Sequence, residues 1–235
     1  MSVPPITPEQ RRAAKIVGVL YLLTMATSMF GELAVRGRLV VRGDAMQTAR
    51  NLMASERLFR LGIAVDLLTV VGVLFLVWAL YVVLKPVNPN GALLAVLFRL
   101  VENCMAAAGT LSSFAALSFL GRSEALQAFD PAQLAALATT LRRGQGIGLG
   151  VAFVFLGVGS TVFSVLWMKS GYVPRVLAAW GIFSSLVLAL VTLAVLVVPA
   201  LGEALGLSYM IPMFFYEVGL GLWLLVKGLR EPAAG

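Results

Sequence analysis

The sequence predicts an all-α polytopic membrane protein: six transmembrane helices in one bundle, with short amphipathic surface helices in the two longer outer linkers. Three observations predict it. Sixty per cent of the 235 residues are hydrophobic and only 12% are charged, and the mean hydropathy is +0.95. A soluble domain carries about 25% charged residues, so a chain this poor in charge cannot cover a water-facing surface and lipid must be its solvent. Six apolar runs are each long enough to span a bilayer, and prolines or polar turns punctuate them. As a membrane bundle, residues 1–235 form a single domain.

The first span, Ala13–Ala34, follows the basic stretch "PEQRR". It is long for the core of a signal peptide and no A-x-A site follows, so it reads as an uncleaved span. The linker at 35–57 has apolar residues at helical spacing, which predicts a short helix lying at the membrane surface. The second span is Leu58–Leu84, and "KPVNPNG" makes a polar turn before the third, Ala92–Leu120. The linker at 121–145 holds "FDPAQLAALATTL", in which Asp130 is a helix N-cap and Pro131 takes the first helical position. A second surface helix is expected there. The fourth span is Gly146–Met168. Pro174 precedes the fifth, Val176–Val198, and Pro199 ends it. Tyr209–Val226 is the sixth.

Direction comes from a repeated ending. The second, fourth and sixth runs close on "WALYVVLK", "WMK" and "WLLVK", each bringing a tryptophan and then a lysine to the N-terminal side. That side holds eight basic residues against Glu9 and Glu231, and the other side holds eight against six acids. Raw basic counts tie, so the tryptophan–lysine endings and the basic N-terminus decide. Both termini are expected in the cytoplasm. The net charge of +7 raises the question of nucleic acid. The basic residues sit at the ends of apolar runs and not on one polar face, so no nucleic-acid partner is expected.

One cysteine and no histidine narrow the chemistry. Cys104 has no disulfide partner and is expected to be buried as a small hydrophobe. Without histidine there is no His-ligated zinc or haem and no Ser-His-Asp or Cys-His catalysis. No D-x-x-D, H-E-x-x-H or nucleophile–base pair occurs, so neither enzyme, cofactor nor metal site is expected.

Several stretches, "LFRLVE", "LKPVNPNGALLA", "GYVPRVLAAWG" and "YEVGLGLWLLVKG", resemble a bacterial membrane family catalogued as domain of unknown function 4386. The resemblance covers roughly residues 10 to 230. It implies six helices in a bacterial inner membrane and carries no activity or residue role with it.

The chemistry-bearing residues are the charges inside the spans. "LFRLVENC" places Arg99, Glu102 and Asn103 near mid-membrane, with Arg99 and Glu102 about 11–15 Å along the third span at 1.5 Å per residue. Arg99 and Glu102 stand three apart and share a helix face. Arg60 and Asp66 lie in the outer half of the second span, and Glu217 lies near the middle of the sixth. Each such charge costs at least ~2.5–3.5 kcal/mol, so these side chains are expected to face inward, pair or line water. Arg99 is the midplane cation, Glu102 and Glu217 are its expected partners, and Asp66 is a further candidate. Asn103 can satisfy leftover donors and acceptors. Tyr216 points about 100° from Glu217 and need not join.

Two functional classes follow. Carboxylates outnumber arginines, so Glu102 or Glu217 can stay protonated and exchange that proton, as a transport or binding site for a small solute or ion requires. Alternatively the charges only fix helix packing in a structural, lipid-binding or regulatory protein; an intramembrane enzyme is a third, weaker reading. The glycines in "GQGIGLGVAFVFLGVGS" imitate a dinucleotide fingerprint but lack its strand. The pairs Gly146/Gly150 and Gly157/Thr161, and Gly219 with Gly221, fit close helix packing through small residues. Partners are the bilayer and a small solute, ion or bound lipid.

Overall fold

The computed structural model describes residues 5–41, 43–120 and 130–231. Helix α1, Pro8–Met29, runs on through a π-helical segment, Phe30–Arg36, and a last α turn, Gly37–Leu39. Then come α2 (Ala45–Ala54), α3 (Glu56–Leu84), α4 (Pro89–Leu120) and α5 (Pro131–Ser170). Helices α6 (Arg175–Val197) and α7 (Pro199–Leu205) follow, and a 3-10 turn, Ser208–Met210, leads into α8 (Ile211–Val226). The described residues contain no strand. Six helical stretches are long and apolar enough to cross a membrane; each contains or overlaps one of the six expected runs, and the first and fourth extend well beyond theirs.

Local chemistry sets the helix starts. Thr7 and Gln10 cap α1 reciprocally: Thr7 N–H donates to Gln10 Oε1 (2.9 Å) and Gln10 N–H to Thr7 Oγ1 (3.2 Å). This is the capping-box exchange, which satisfies two orphan donors at once. Asp44 caps α2 by accepting from Gln47 N–H at 2.7 Å. Asn88 caps α4 by accepting from Gly91 N–H at 2.8 Å. Asp130 accepts from Ala132 N–H at 2.8 Å, as its place before Pro131 predicts.

Two expectations about the linkers change. The surface helix expected in 121–145 is not separate: from Pro131 the chain stays helical for 40 residues, through to Ser170. Past Pro131 no proline interrupts it, and glycines weaken a helix without ending it. Residues 121–129 lie outside the described residues. In the other linker α2 is present, but α1 extends to Leu39 and takes in the first residues of that segment.

The chain forms two compact units. The first is drawn from Met1–Met25, Val71–Asn103 and Gly150–Gly235, the second from Ala26–Val70 and Cys104–Leu149. The first unit packs Val17, Tyr21, Leu80, Leu84, Trp167 and Leu224 into one core. Helix α1 meets α8 at Gly18, where a Cβ would lie 2.9 Å from the Gly221 carbonyl oxygen. Helix α5 meets α6 at Gly157, where a Cβ would lie 2.6 Å from the Ser185 carbonyl oxygen. Gly157 and Gly221 thus hold the close approaches expected of small residues. Gly146 does not: no atom lies within 4 Å of its Cβ position. Gly150 and Gly219 make only ordinary contacts, at 3.7 and 3.6 Å.

The turn between α5 and α6 is fixed from several sides. Gly171 takes φ +67, a left-handed conformation in which glycine meets no steric cost. Buried Gln10 donates to Val83 O (3.0 Å) and to the Tyr172 hydroxyl (3.3 Å). Arg230 N–H donates to Tyr172 O at 2.8 Å, and the Arg230 guanidinium stacks on Trp223 at 4.6 Å.

The second unit gathers Val35, Leu39, Leu52, Phe59, Ile63 and Leu117. Cys104 is exposed, contrary to its expected burial. It is one of many outward apolar or small side chains, among them Phe75, Leu111, Phe183, Leu190 and Phe215. In a protein solvated by lipid such exposure carries no hydrophobic cost, so an outward thiol needs no pocket.

Candidate functional site

The first unit buries an ionic cluster. On α4, Arg99, Glu102 and Asn103 are 4%, 9% and 4% exposed. The three-residue spacing brings Arg99 Nη1 to 3.4 Å from Glu102 Oε2. That separation is an ion pair and not a hydrogen bond: Nη1, Oε2 and also Arg99 Nε have no hydrogen-bond partner. From α5, Gly159 makes room for the arginine stem, since a Cβ there would sit 3.1 Å from Arg99 Cγ. From α8, half-buried Glu217 lies within electrostatic reach of Arg99 and Glu102. The structure therefore pairs Arg99 with Glu102 and leaves Glu217 within electrostatic reach of both, in no ion pair of its own among the described residues.

Buried Tyr21 of α1 joins them, within electrostatic reach of Arg99, Glu102, Glu217 and Tyr216. Sequence reasoning missed it, although a tyrosine in an apolar span needs an explanation for its hydroxyl. The Tyr216 hydroxyl instead accepts from Ser164 Oγ at 2.9 Å. The 100° offset from Glu217 sends the two side chains to different partners. Three helices thus bring two carboxyls, one guanidinium and one phenol within electrostatic reach of one another.

Asp66, offered as a further partner for Arg99, is engaged elsewhere. It belongs to the second unit, where Arg36 Nη1 donates to its Oδ2 at 2.9 Å and Oδ1 at 3.3 Å. Arg36 Nε also donates to Glu32 Oε2 at 2.7 Å. Gln145 Nε2 donates to Asp66 Oδ2 (3.1 Å), and Ser113 Oγ donates to Gln145 Oε1 (2.7 Å). Val35, Phe59, Gly62 and Ile63 join these residues around a cavity of about 10 Å³, roughly the space for one water. The sequence reading had placed Arg36 in a linker. The π-helical continuation of α1 carries it into the helix, one turn after Glu32.

Arg60 differs too. It is exposed and pairs with Glu56 at 2.7 Å, one turn away. It stands one turn into α3, only ~6 Å from the helix start, where an outward arginine can reach water. No group of three or more carboxylate or thiol side chains placed to hold a metal ion occurs among the described residues.

Nothing among curated proteins or solved structures matches the chain. A family model does: the domain of unknown function DUF4386 matches residues 16–228. The match takes in the Arg99 cluster and the Asp66 network alike, and it spans far more than half of the sequence. The chain belongs to the DUF4386 family.

Proposed function

We propose that this integral membrane protein binds a small solute or ion at the Arg99–Glu102–Glu217 cluster and carries it across the bacterial inner membrane. The observation that supports this is the unsatisfied guanidinium. A buried charge kept only for packing has its donors filled, because an unfilled charged group in low dielectric is costly. Arg99 Nε and Nη1 and Glu102 Oε2 are all unfilled, and they face a second carboxyl, Glu217.

The test places Glu102→Gln and Glu217→Gln in liposomes enclosing a pH-sensitive dye, with inward gradients of small organic anions, chloride, sodium or potassium as the driving force. The wild-type protein is expected to move protons. Glu217→Gln is expected to fall to the level of empty liposomes while its melting temperature in detergent holds. A second reading draws on the tight fit of the Arg99 stem against Gly159: the charges fix helix packing and nothing more. That reading expects both variants to lose melting temperature, with no flux in the wild type to lose.

Both termini lie in the cytoplasm in this proposal, supported by the lysines that follow tryptophans at the ends of the even-numbered spans. A reporter fused after residue 235 that is active only in the cytoplasm should be active. An active periplasmic reporter there would reverse the orientation.

A further inference from the structure

We infer that the solute taken by the Arg99 cluster is a small carboxylate that enters together with a proton. The inference rests on reading that cluster as a binding site. The guanidinium leads to it. Arginine has five N–H donors and no acceptor, and Arg99 spends them on one ion-pair contact of 3.4 Å. Its Nε and Nη1 are sealed in the unit and unbonded. What the site lacks is acceptor oxygens close to a planar fork of donors. A carboxylate supplies two oxygens in the matching plane. A bare cation would add positive charge beside Arg99 and leave its donors as they are.

Charge neutrality supplies the proton. Arg99 already faces Glu102, and Glu217 takes part in no ion pair within 4.0 Å among the described residues. A solute anion would set three negative groups against one guanidinium, in surroundings where an unpaired charge is costly. The anion is therefore accommodated when a proton occupies a carboxyl of the cluster. Glu217 is the carboxyl free of a direct ion pair. The charged and titratable groups that face it are Arg99 and Glu102 from α4, Tyr21 from α1 and, on its own helix, Tyr216. Size follows from packing: Arg99 is only 4% exposed and its stem lies against Gly159, so close packing around the guanidinium favours the smallest carboxylates.

The experiment measures the melting temperature of the full-length protein in detergent against rising formate, acetate and lactate. Laurate is a lipid-borne carboxylate arm, and inorganic phosphate, chloride, sodium and potassium are the other arms, each at neutral and mildly acidic pH. Saturable stabilisation by the small carboxylates, stronger at the acidic pH, is expected. Stabilisation by laurate alone keeps the carboxylate chemistry and assigns it to a membrane lipid. Arg99→Lys keeps the charge but loses the fork, and should weaken carboxylate binding at least about ten-fold. Glu217→Gln should abolish the pH dependence of the binding. Stabilisation by sodium or potassium and not by carboxylates overturns this inference and leaves the polar-site reading standing, as does stabilisation by phosphate alone. If no solute stabilises the protein and Glu217→Gln leaves proton flux unchanged, both fail together.

Discussion

Replacing Arg99 with methionine is expected to destabilise the protein by about 3–5 kcal/mol, the typical cost of removing one partner from a buried ion pair. Methionine fills the space of the arginine stem against Gly159, so the loss reports charge and not a cavity. Without the guanidinium, Glu102 keeps no cation within ion-pair distance, and Glu217 loses the cation in its electrostatic reach. Chemical denaturation in mixed micelles, read by tryptophan fluorescence, measures the change. The double variant Arg99→Met/Glu102→Gln should recover part of the loss, because it removes the stranded charge along with its partner. A single variant as stable as the wild type would mean that Arg99 is not paired inside the unit at all.

Gly181→Ala should cost about 2–4 kcal/mol, combining overpacking with damage to a buried hydrogen bond. The added Cβ would run into Tyr216 Cε2 and stand 2.6 Å from Ser164 Oγ. Tyr216 is 1% exposed and Ser164 0%, so neither has space to retreat. Either α6 moves away from α5 and α8, or the Ser164–Tyr216 bond of 2.9 Å breaks. Tyr216 precedes Glu217 on α8, so a displaced ring also shifts the carboxyl that faces Arg99. The variant should therefore lose both melting temperature and solute-dependent stabilisation. Gly219→Ala is the control: its Cβ would make only an ordinary contact, 3.6 Å from Leu177 Cδ1, and should leave stability within about 0.5 kcal/mol.

Spans were legible because a spanning helix is written in local composition. Six apolar runs and their proline boundaries specify α1, α3, α4, α5, α6 and α8 without knowledge of neighbours. Contacts within one helix were legible for the same reason: the spacing of Arg99 and Glu102 is enough to pair them. Partners across helices were not. Whether Asp66 meets Arg99 or Arg36 depends on how each helix is rotated about its axis, and that is set by where backbones approach. Gly157 approaches α6 and Gly146 approaches nothing, yet the sequence around both reads as a small-residue stripe. Tyr21 was passed over because tyrosine in a span reads equally as an interfacial anchor. Ser113 and Gln145 lie 32 residues apart, and neither looks chemical until both are seen around Asp66.

The π-helical segment from Phe30 to Arg36 carries one residue more per turn than the helix on either side. Wound as a regular α-helix at about 100° per residue, the same residues would turn further about the axis and everything beyond would be rotated. Arg36 would then point its guanidinium away from Asp66, leaving that carboxylate with Gln145 as its remaining donor. The irregular winding is therefore what aims the arginine.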